Sequence, residues 1–311
     1  MSKYEFGMSE LARFAEDGYL RLGRVASTDQ LQAMCDRIDE IMLGHVRYEG
    51  MPMQRDTDTG EYGQLPTRTY EESEGTLAYR RIDDLQLDPL FLGYMQHPLF
   101  REITEALVGP NVSIFRAMFM NKPAQHGTHL PWHQDVGIGW GLDSNPETTV
   151  WTALDSAAVE NGCMELVRGS HKHGVINEMH FPSEDDQAKY IREEDCLYLE
   201  AEAGEAILLN NLLLHRSARN PTGKPRRAIS IAYMDAATRA VETGETFPVI
   251  FGEGALTGGV LVDGAPIDGA KNDAKLTGGA PTDGALTDGA PAEGATTDDT
   301  RSPDVLEESR Q

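Results

Sequence analysis

Residues 130–135 read LPWHQD. In an extended segment alternate side chains share a face, so His133 and Asp135 stand side by side. Such a pair suits a metal site, a His–carboxylate acid/base pair, or a polar patch with no chemistry. Alone it does not choose among them. A third donor lies far downstream, where His215 closes the run GEAILLNNLLLH. An apolar strand of that kind aims its last residues at a barrel interior or mouth. Two histidines and one carboxylate make a three-donor face that leaves open positions on an octahedral metal, the pattern of non-haem Fe(II) oxygenases. The histidines must be neutral and the aspartate ionised to bind.

Arg226 opens the next strand. An iron oxygenase needs a co-substrate that supplies two electrons. If this is 2-oxoglutarate, its far carboxylate needs a partner, and arginine offers a planar bidentate fork. Arg227 should face the other side of that strand. A zinc hydrolase-like enzyme could use the same three donors, and it would need no such arginine. A non-catalytic small-molecule-binding protein is the third reading, and the presence of all three donors with the arginine speaks against lost turnover. His126 and His129 precede the motif and could touch a substrate, though loop histidines usually do not. His45, His97, His171, His173 and His180 read as loop, turn or helix residues.

The elements that must position these residues change character along the chain. SELARFAED (9–17) reads as a helix ending at Gly18, and YLRLGRV (19–25) as a strand. Ser27 with Gln30 makes a capping box, followed by Leu31, Met34, Ile38 and Ile41 at helical spacing. Residues 47–78 lack a period and read as a long loop or lid. HPLFREITEALVGP (97–110) is a helix stopped by Gly109-Pro110. Strands are then expected at 112–120, 148–155, 163–169, 204–215 and 226–234, separated by turn signals. Helices first and β-structure after suggest a jelly-roll with helices packed outside.

From Gly254 onward glycines fall in a five-residue register, with units GAPID, GAPTD, GALTD and GAPAE. The proline content and the lack of bulky apolar residues point to a disordered acidic tail rather than a β-solenoid. The expected organisation is therefore a domain over 1–252 and a tail over 253–311. The formal net charge of −24 argues against nucleic-acid or anionic-membrane binding. No apolar run reaches membrane-spanning length. The start, MSKYEFGMSE, is not a secretory signal, and Cys35, Cys163 and Cys196 are too few and too scattered for a disulfide framework. A reducing cytoplasm is the expected location. Arg55, Arg68 and Arg80 lie in the expected lid, where they could meet an anionic small-molecule substrate, although charges there are more often simply solvated.

The run NKPAQHGTHLPWHQD…VWTALDSAAVENGCMELVRGSHKHG…GEAILLNNLLLHRSARNPTGKPRRAISIAY resembles the phytanoyl-CoA dioxygenase family over residues 8–250. The resemblance implies a double-stranded β-helix, cupin-like, and an Fe(II)- and 2-oxoglutarate-dependent dioxygenase that consumes O2. It implies His133, Asp135 and His215 as iron ligands and Arg226 and Ser217 as contacts to 2-oxoglutarate. Trp151 matches the family tryptophan lining that pocket, and Met118 a further pocket position. Arg81 falls where the family's namesake has a lysine. The carboxylate at Asp135 favours hydroxylation, because halogenases related to the family carry a small residue there. Without the resemblance, Trp151 reads as core and Met118 as a gap-filler.

Overall fold

The computed structural model describes residues 6–70, 75–146, 148–178 and 180–260. Helix α1 (Met8–Asp17) ends at Gly18, whose φ of 79° is the left-handed conformation that lets the chain turn directly into β1 (Tyr19–Arg24). Helix α2 (Thr28–Met42) starts on the expected capping box, with Ser27 accepting from the Gln30 N–H. Its apolar stripe of Leu31, Met34, Ile38 and Ile41 is buried. The expected loop at 47–78 contains a short strand, β2 (Met53–Arg55), which pairs with β3 (Tyr79–Ile82). Helices α3 (Pro89–Met95) and α4 (Pro98–Leu107) follow. Each has proline at its first position, capped by Asp88 and His97 respectively.

The β-rich part supplies β4 (Val112–Lys122), β5 (Leu130–His133), β6 (Thr148–Ala153) and β7 (Met164–Val167). Then come α5 (Glu184–Tyr190), β8 (Cys196–Leu199), β9 (Glu205–Asn210), β10 (His215–Ser217), β11 (Arg226–Asp235) and β12 (Val249–Phe251). Eight strands form one sheet in the order β1-β9-β6-β11-β4-β3-β2, with β12 also paired to β4. Four strands form the second, in the order β5-β10-β7-β8. All these pairings are antiparallel. The molecule is a double-stranded β-helix with helices against the outside of the larger sheet.

Strand alternation divides the core in two. Ala117, Phe119, Val150, Leu208, Ile229 and Ile231 point outward and pack with Met34, Ile38, Phe91, Met95, Phe100 and Ile103 of the helices. Their neighbours Trp151, Ile207, Leu209 and Ala228 point inward and meet Met164, Leu166 and Leu199 of the smaller sheet. A cavity opens on this inner side.

Two expectations need correction. The apolar run 204–215 is not one strand. Asn210 and Asn211 break it, so β9 stays in the larger sheet and β10 starts in the smaller one. The Asn210 side chain accepts from the Leu212 N–H, a local bond that offers the backbone a turn in place of the ladder. The ordered domain also runs past residue 252. Leu256 donates its N–H to Val249, Gln96 donates to the Leu256 carbonyl at 2.7 Å, and Val260 donates to Pro89 at 2.8 Å. Disorder was expected over 253–311, and residues 261–311 of that tail lie outside the described part. Among the described residues no helix is long and apolar enough to cross a membrane. All three cysteines are free.

Candidate active site

His133 and His215 come together because β5 and β10 are adjacent, and these two residues are direct partners across the ladder. Their rings lie 4.0 Å apart. Strand β5 ends at His133, but the alternation continues, and Asp135 returns to the same side. Its oxygens sit 3.7 Å from Nε2 of each histidine. One donor atom from each of the three residues falls within 4.8 Å of the others. Gln134 points the other way. Its amide donates to the carbonyls of Gly174 and Leu212 and accepts from the Ile176 N–H, which ties the following loop to the strand.

The donor chemistry fits a cation. Nδ1 of His133 is 2.8 Å from the Pro131 carbonyl, and Nδ1 of His215 is 3.0 Å from the Leu213 carbonyl. Both Nδ1 atoms therefore carry the proton, and both Nε2 lone pairs face the carboxylate. Burial first, then the neighbouring His215 and His180, hold His133 well below the usual histidine range, in the neutral form a metal needs. Two lone pairs and an anion aimed at one point repel unless something positive lies between them.

Arg226 enters the same cavity from β11. It is 5 % exposed, and burial pulls its pKa down to about 10. Nη2 donates to the Gly162 carbonyl at 2.9 Å, the guanidinium carbon stands 5.9 Å from the Trp151 ring centre, and Nε has no hydrogen-bond partner. Among the described residues no carboxylate forms an ion pair with it. An uncompensated buried charge costs several kcal/mol, so this is where an anion belongs. Gly162 has φ of 78°, and a Cβ there would run into the Ala218 carbonyl, so the turn ENG that presents this carbonyl needs glycine. Arg227 faces the opposite side, as expected, and forms a double hydrogen bond with Asp155.

The other residues named from sequence line the same cavity: Ser217, Trp151, Met118 and Arg81. Arg81 is engaged with Asp83 at 2.8 Å, through Nε and Nη2. Its neighbour Arg80 is buried, donates to Gln54, lies 5.1 Å over the Tyr62 ring, and also lines the cavity. Arg80 and Arg226 both act on Lys122, whose ammonium burial pushes well below its ordinary range. Arg68 pairs with Asp83, and Arg55 is exposed on β2. His129 stays outside the cavity lining, with Nδ1 3.0 Å from the Gly60 carbonyl.

Among the lining residues not singled out as site residues from sequence are Tyr62, Arg116, Met120 and His180. His180 has φ of 76°, and its ring is 5.0 Å from that of His133 and 4.6 Å from that of Phe181. Phe181 in turn meets Tyr62 edge-on at 5.5 Å, so two loops close over the metal end. Loop contacts of this kind leave no period in the sequence. Arg116 did leave one, as a charge inside VSIFRAMFM in step with Met118 and Met120. The cavity takes in about 790 Å³ of empty space, open solvent at its mouth included.

The family model described as Phytanoyl-CoA dioxygenase (PhyH) matches residues 14–228. "Phytanoyl-CoA dioxygenase, peroxisomal" of Rattus norvegicus is 26% identical over 234 residues, covering 71% of this chain and 66% of that protein. The chain thus spans about two thirds of that relative's length. "Probable phytanoyl-CoA dioxygenase" of Caenorhabditis elegans is 26% identical, covering 72% of this chain and 74% of its own. Among solved structures, EctD from S. alaskensis in its apoform aligns with a TM-score of 0.60 at 19% identity, over 79% of this chain and 84% of that one. The non-heme alpha ketoglutarate dependent carbocyclase SnoK from nogalamycin biosynthesis aligns at 0.58 and 19%, over 75% and 86%. These likenesses bear out the double-stranded β-helix.

Proposed function

Since the chain belongs to the phytanoyl-CoA dioxygenase family, we propose that it is an Fe(II)- and 2-oxoglutarate-dependent dioxygenase that hydroxylates a C–H bond of a small molecule. The observation that carries this reading is the buried Arg226, which no carboxylate among the described residues pairs with, facing the same cavity as His133, Asp135 and His215. A zinc hydrolase on the same donors would leave that guanidinium without a purpose.

His133, Asp135 and His215 would hold the metal on one face and leave the opposite positions open. When bound, Fe(II) with 2-oxoglutarate and O2 supplies a two-electron oxidation of a C–H bond, with succinate and CO2 as co-products. The carbonyls of Pro131 and Leu213 fix the two imidazoles in the tautomer that presents Nε2. Arg226 receives the far carboxylate of 2-oxoglutarate, Ser217 offers a hydroxyl beside it, and Trp151 walls that end. Met118 and Arg81 complete the wall, with Arg81 held by Asp83. Tyr62 and Phe181 shield the metal end from bulk water, which strengthens the electrostatics inside and limits side reactions. Asp135 supports hydroxylation, since it fills with a carboxylate the position a halide would need. The acidic chain and the cytoplasm as location accord with a freely diffusing small-molecule substrate.

The test is spectroscopic and chemical. Metal-free protein incubated anaerobically with Fe(II) and 2-oxoglutarate should develop a weak visible charge-transfer band. Aerobic mixing should release succinate above an Asp135→Ala control. Absence of both would sink the oxygenase reading.

A further inference from the structure

We propose that Lys122 is a second cation for the far carboxylate of 2-oxoglutarate, recruited only as the co-substrate docks, so that binding takes a proton from solvent. The proposal deepens the oxygenase reading and rests on it for the identity of the anion.

Position comes first. On β4 the side chains of Met118, Met120 and, at the end of the strand, Lys122 share the inner face. Lys122 stands directly opposite Arg226 of β11 across the ladder. Side chains paired in this way start about 5 Å apart at Cβ. Lys122 is 5 % exposed and stays behind the cavity wall, its stem running between two glycines. A Cβ on Gly127 would come within 2.6 Å of the Lys122 Cβ, and one on Gly162 within 3.1 Å of its Cδ. Gly162 also gives its carbonyl to Arg226. Two buried basic side chains thus share one turn.

The surroundings favour an amine over an ammonium. Nζ donates to the Thr128 carbonyl, and among the described residues no carboxylate pairs with it. Arg226 from β11 and Arg80 from β3 both disfavour a charge on Lys122, whereas Asp56, just past β2, favours one. That carboxylate is already occupied. It accepts from the Thr128 hydroxyl, from the Thr128 N–H at 3.2 Å and from the Thr57 N–H at 2.8 Å. The Gly162 turn leads into Cys163, whose thiol burial pushes up to about 11, so it brings no charge. The Asn220 side chain, which donates to the Lys122 carbonyl, is neutral. Burial first, then the two arginines, make Lys122 release its proton well below the ordinary lysine range.

The co-substrate reverses this balance. Its far carboxylate pairs with the Arg226 guanidinium and cancels the nearest repulsion. It also places an anion close to Nζ where burial weakens screening, and an opposite charge at about 4–6 Å favours the charged form. Nζ then takes one proton from solvent, and no other bond forms or breaks. Lys122 acts across Arg226, which makes it a positioning residue.

Full-length protein loaded anaerobically with Fe(II) is titrated with 2-oxoglutarate by calorimetry in HEPES and in Tris, buffers of different ionisation heat. The difference should report uptake approaching one proton per co-substrate near about pH 8, between the depressed value and the ordinary one. Affinity read from the charge-transfer band should fall by up to about tenfold per pH unit as pH rises from about 6.5 to 8.5. Lys122→Met, with Lys122→Gln as the second variant, should lose the uptake. Each should bind 2-oxoglutarate more weakly than the unaltered protein at the acid end and converge with it at the alkaline end. Without co-substrate, the unfolded chain carries the ammonium and the native chain the amine, so stability rises with pH from the depressed native value to about 10.4. The melting-temperature advantage of a variant over the unaltered protein should therefore shrink as pH rises. In the unaltered protein, an uptake near zero or a pH-independent affinity would overturn the proposal whether or not the variants fold. So would an uptake that survives in the variants, or a melting-temperature difference that does not move with pH. If the band forms under any of these outcomes, the oxygenase reading stands without Lys122. If neither band nor heat of binding appears, both fall.

Discussion

At the scale of residues, Arg226 on the inner wall shows what burial demands of a charge. Arg226 is buried, no carboxylate among the described residues pairs with it, and burial pulls its pKa down to about 10. Arg226→Gln should therefore do two opposite things. It should weaken 2-oxoglutarate about 10- to 100-fold, read by titrating the charge-transfer band, because a bidentate charge-assisted pair is lost. It should also raise the melting temperature of the co-substrate-free protein, because an unpaired buried ion is removed. Loss of both affinity and stability would mean that the guanidinium is structural. The convergence of His133, Asp135 and His215 on one cavity with Arg226 was legible in type and spacing, as an HxD pair on one face, a distant histidine and an arginine after it, though the pair alone did not choose its chemistry. His180 and Tyr62 were not legible, because they reach the cavity from loops whose contacts have no repeat. Arg116 was legible only in hindsight, as a charge interrupting an apolar strand.

At the scale of elements, local signals read well where one element satisfies itself and poorly where two must cooperate. The capping box of α2 and the apolar strands β4, β6, β7 and β11 followed from periodicity. The strands β2, β3 and β12 are short and exist because a neighbour pairs with them. The run 204–215 read as one strand, since hydropathy does not record a change of sheet at Asn210-Asn211. Helix α3 also escaped notice, although Asp88 marks its start. That carboxylate is fully buried and caps the Leu90 N–H. It also accepts from Arg37 at 2.6 Å and from the Tyr48 hydroxyl at 2.7 Å, joining α3 to α2 and to the segment after it. Asp88→Ala removes the cap and strands three donors at once. It should lower stability by about 3 kcal/mol, measured by urea denaturation. A change below about 0.5 kcal/mol, the range of ordinary surface substitutions, would show that the donors find water instead.

At the scale of the whole molecule, sequence composition placed the end of the folded part slightly early. The glycine register begins while the chain is still packed. Val260 crosses α3 at Gly93, where a Cβ would come within 2.6 Å of the Val260 carbonyl oxygen. Truncation after Val260 should leave the melting temperature and succinate release unchanged. Truncation after Gly252 should lower the melting temperature, because the bonds from Gln96 and to Pro89 are lost. Equal melting temperatures for the two would mean that the segment adds nothing. The arginine-lined cavity has one more consequence, which concerns rates. It sits inside a chain of net charge −24, so an anionic co-substrate is repelled at long range and attracted only at the mouth. Raising ionic strength toward 0.1 M, where the Debye length is about 10 Å, screens the first effect more than the second. Stopped-flow association of 2-oxoglutarate should accelerate with salt over that range. A rate that falls instead would mean that the inner arginines govern the field beyond the mouth.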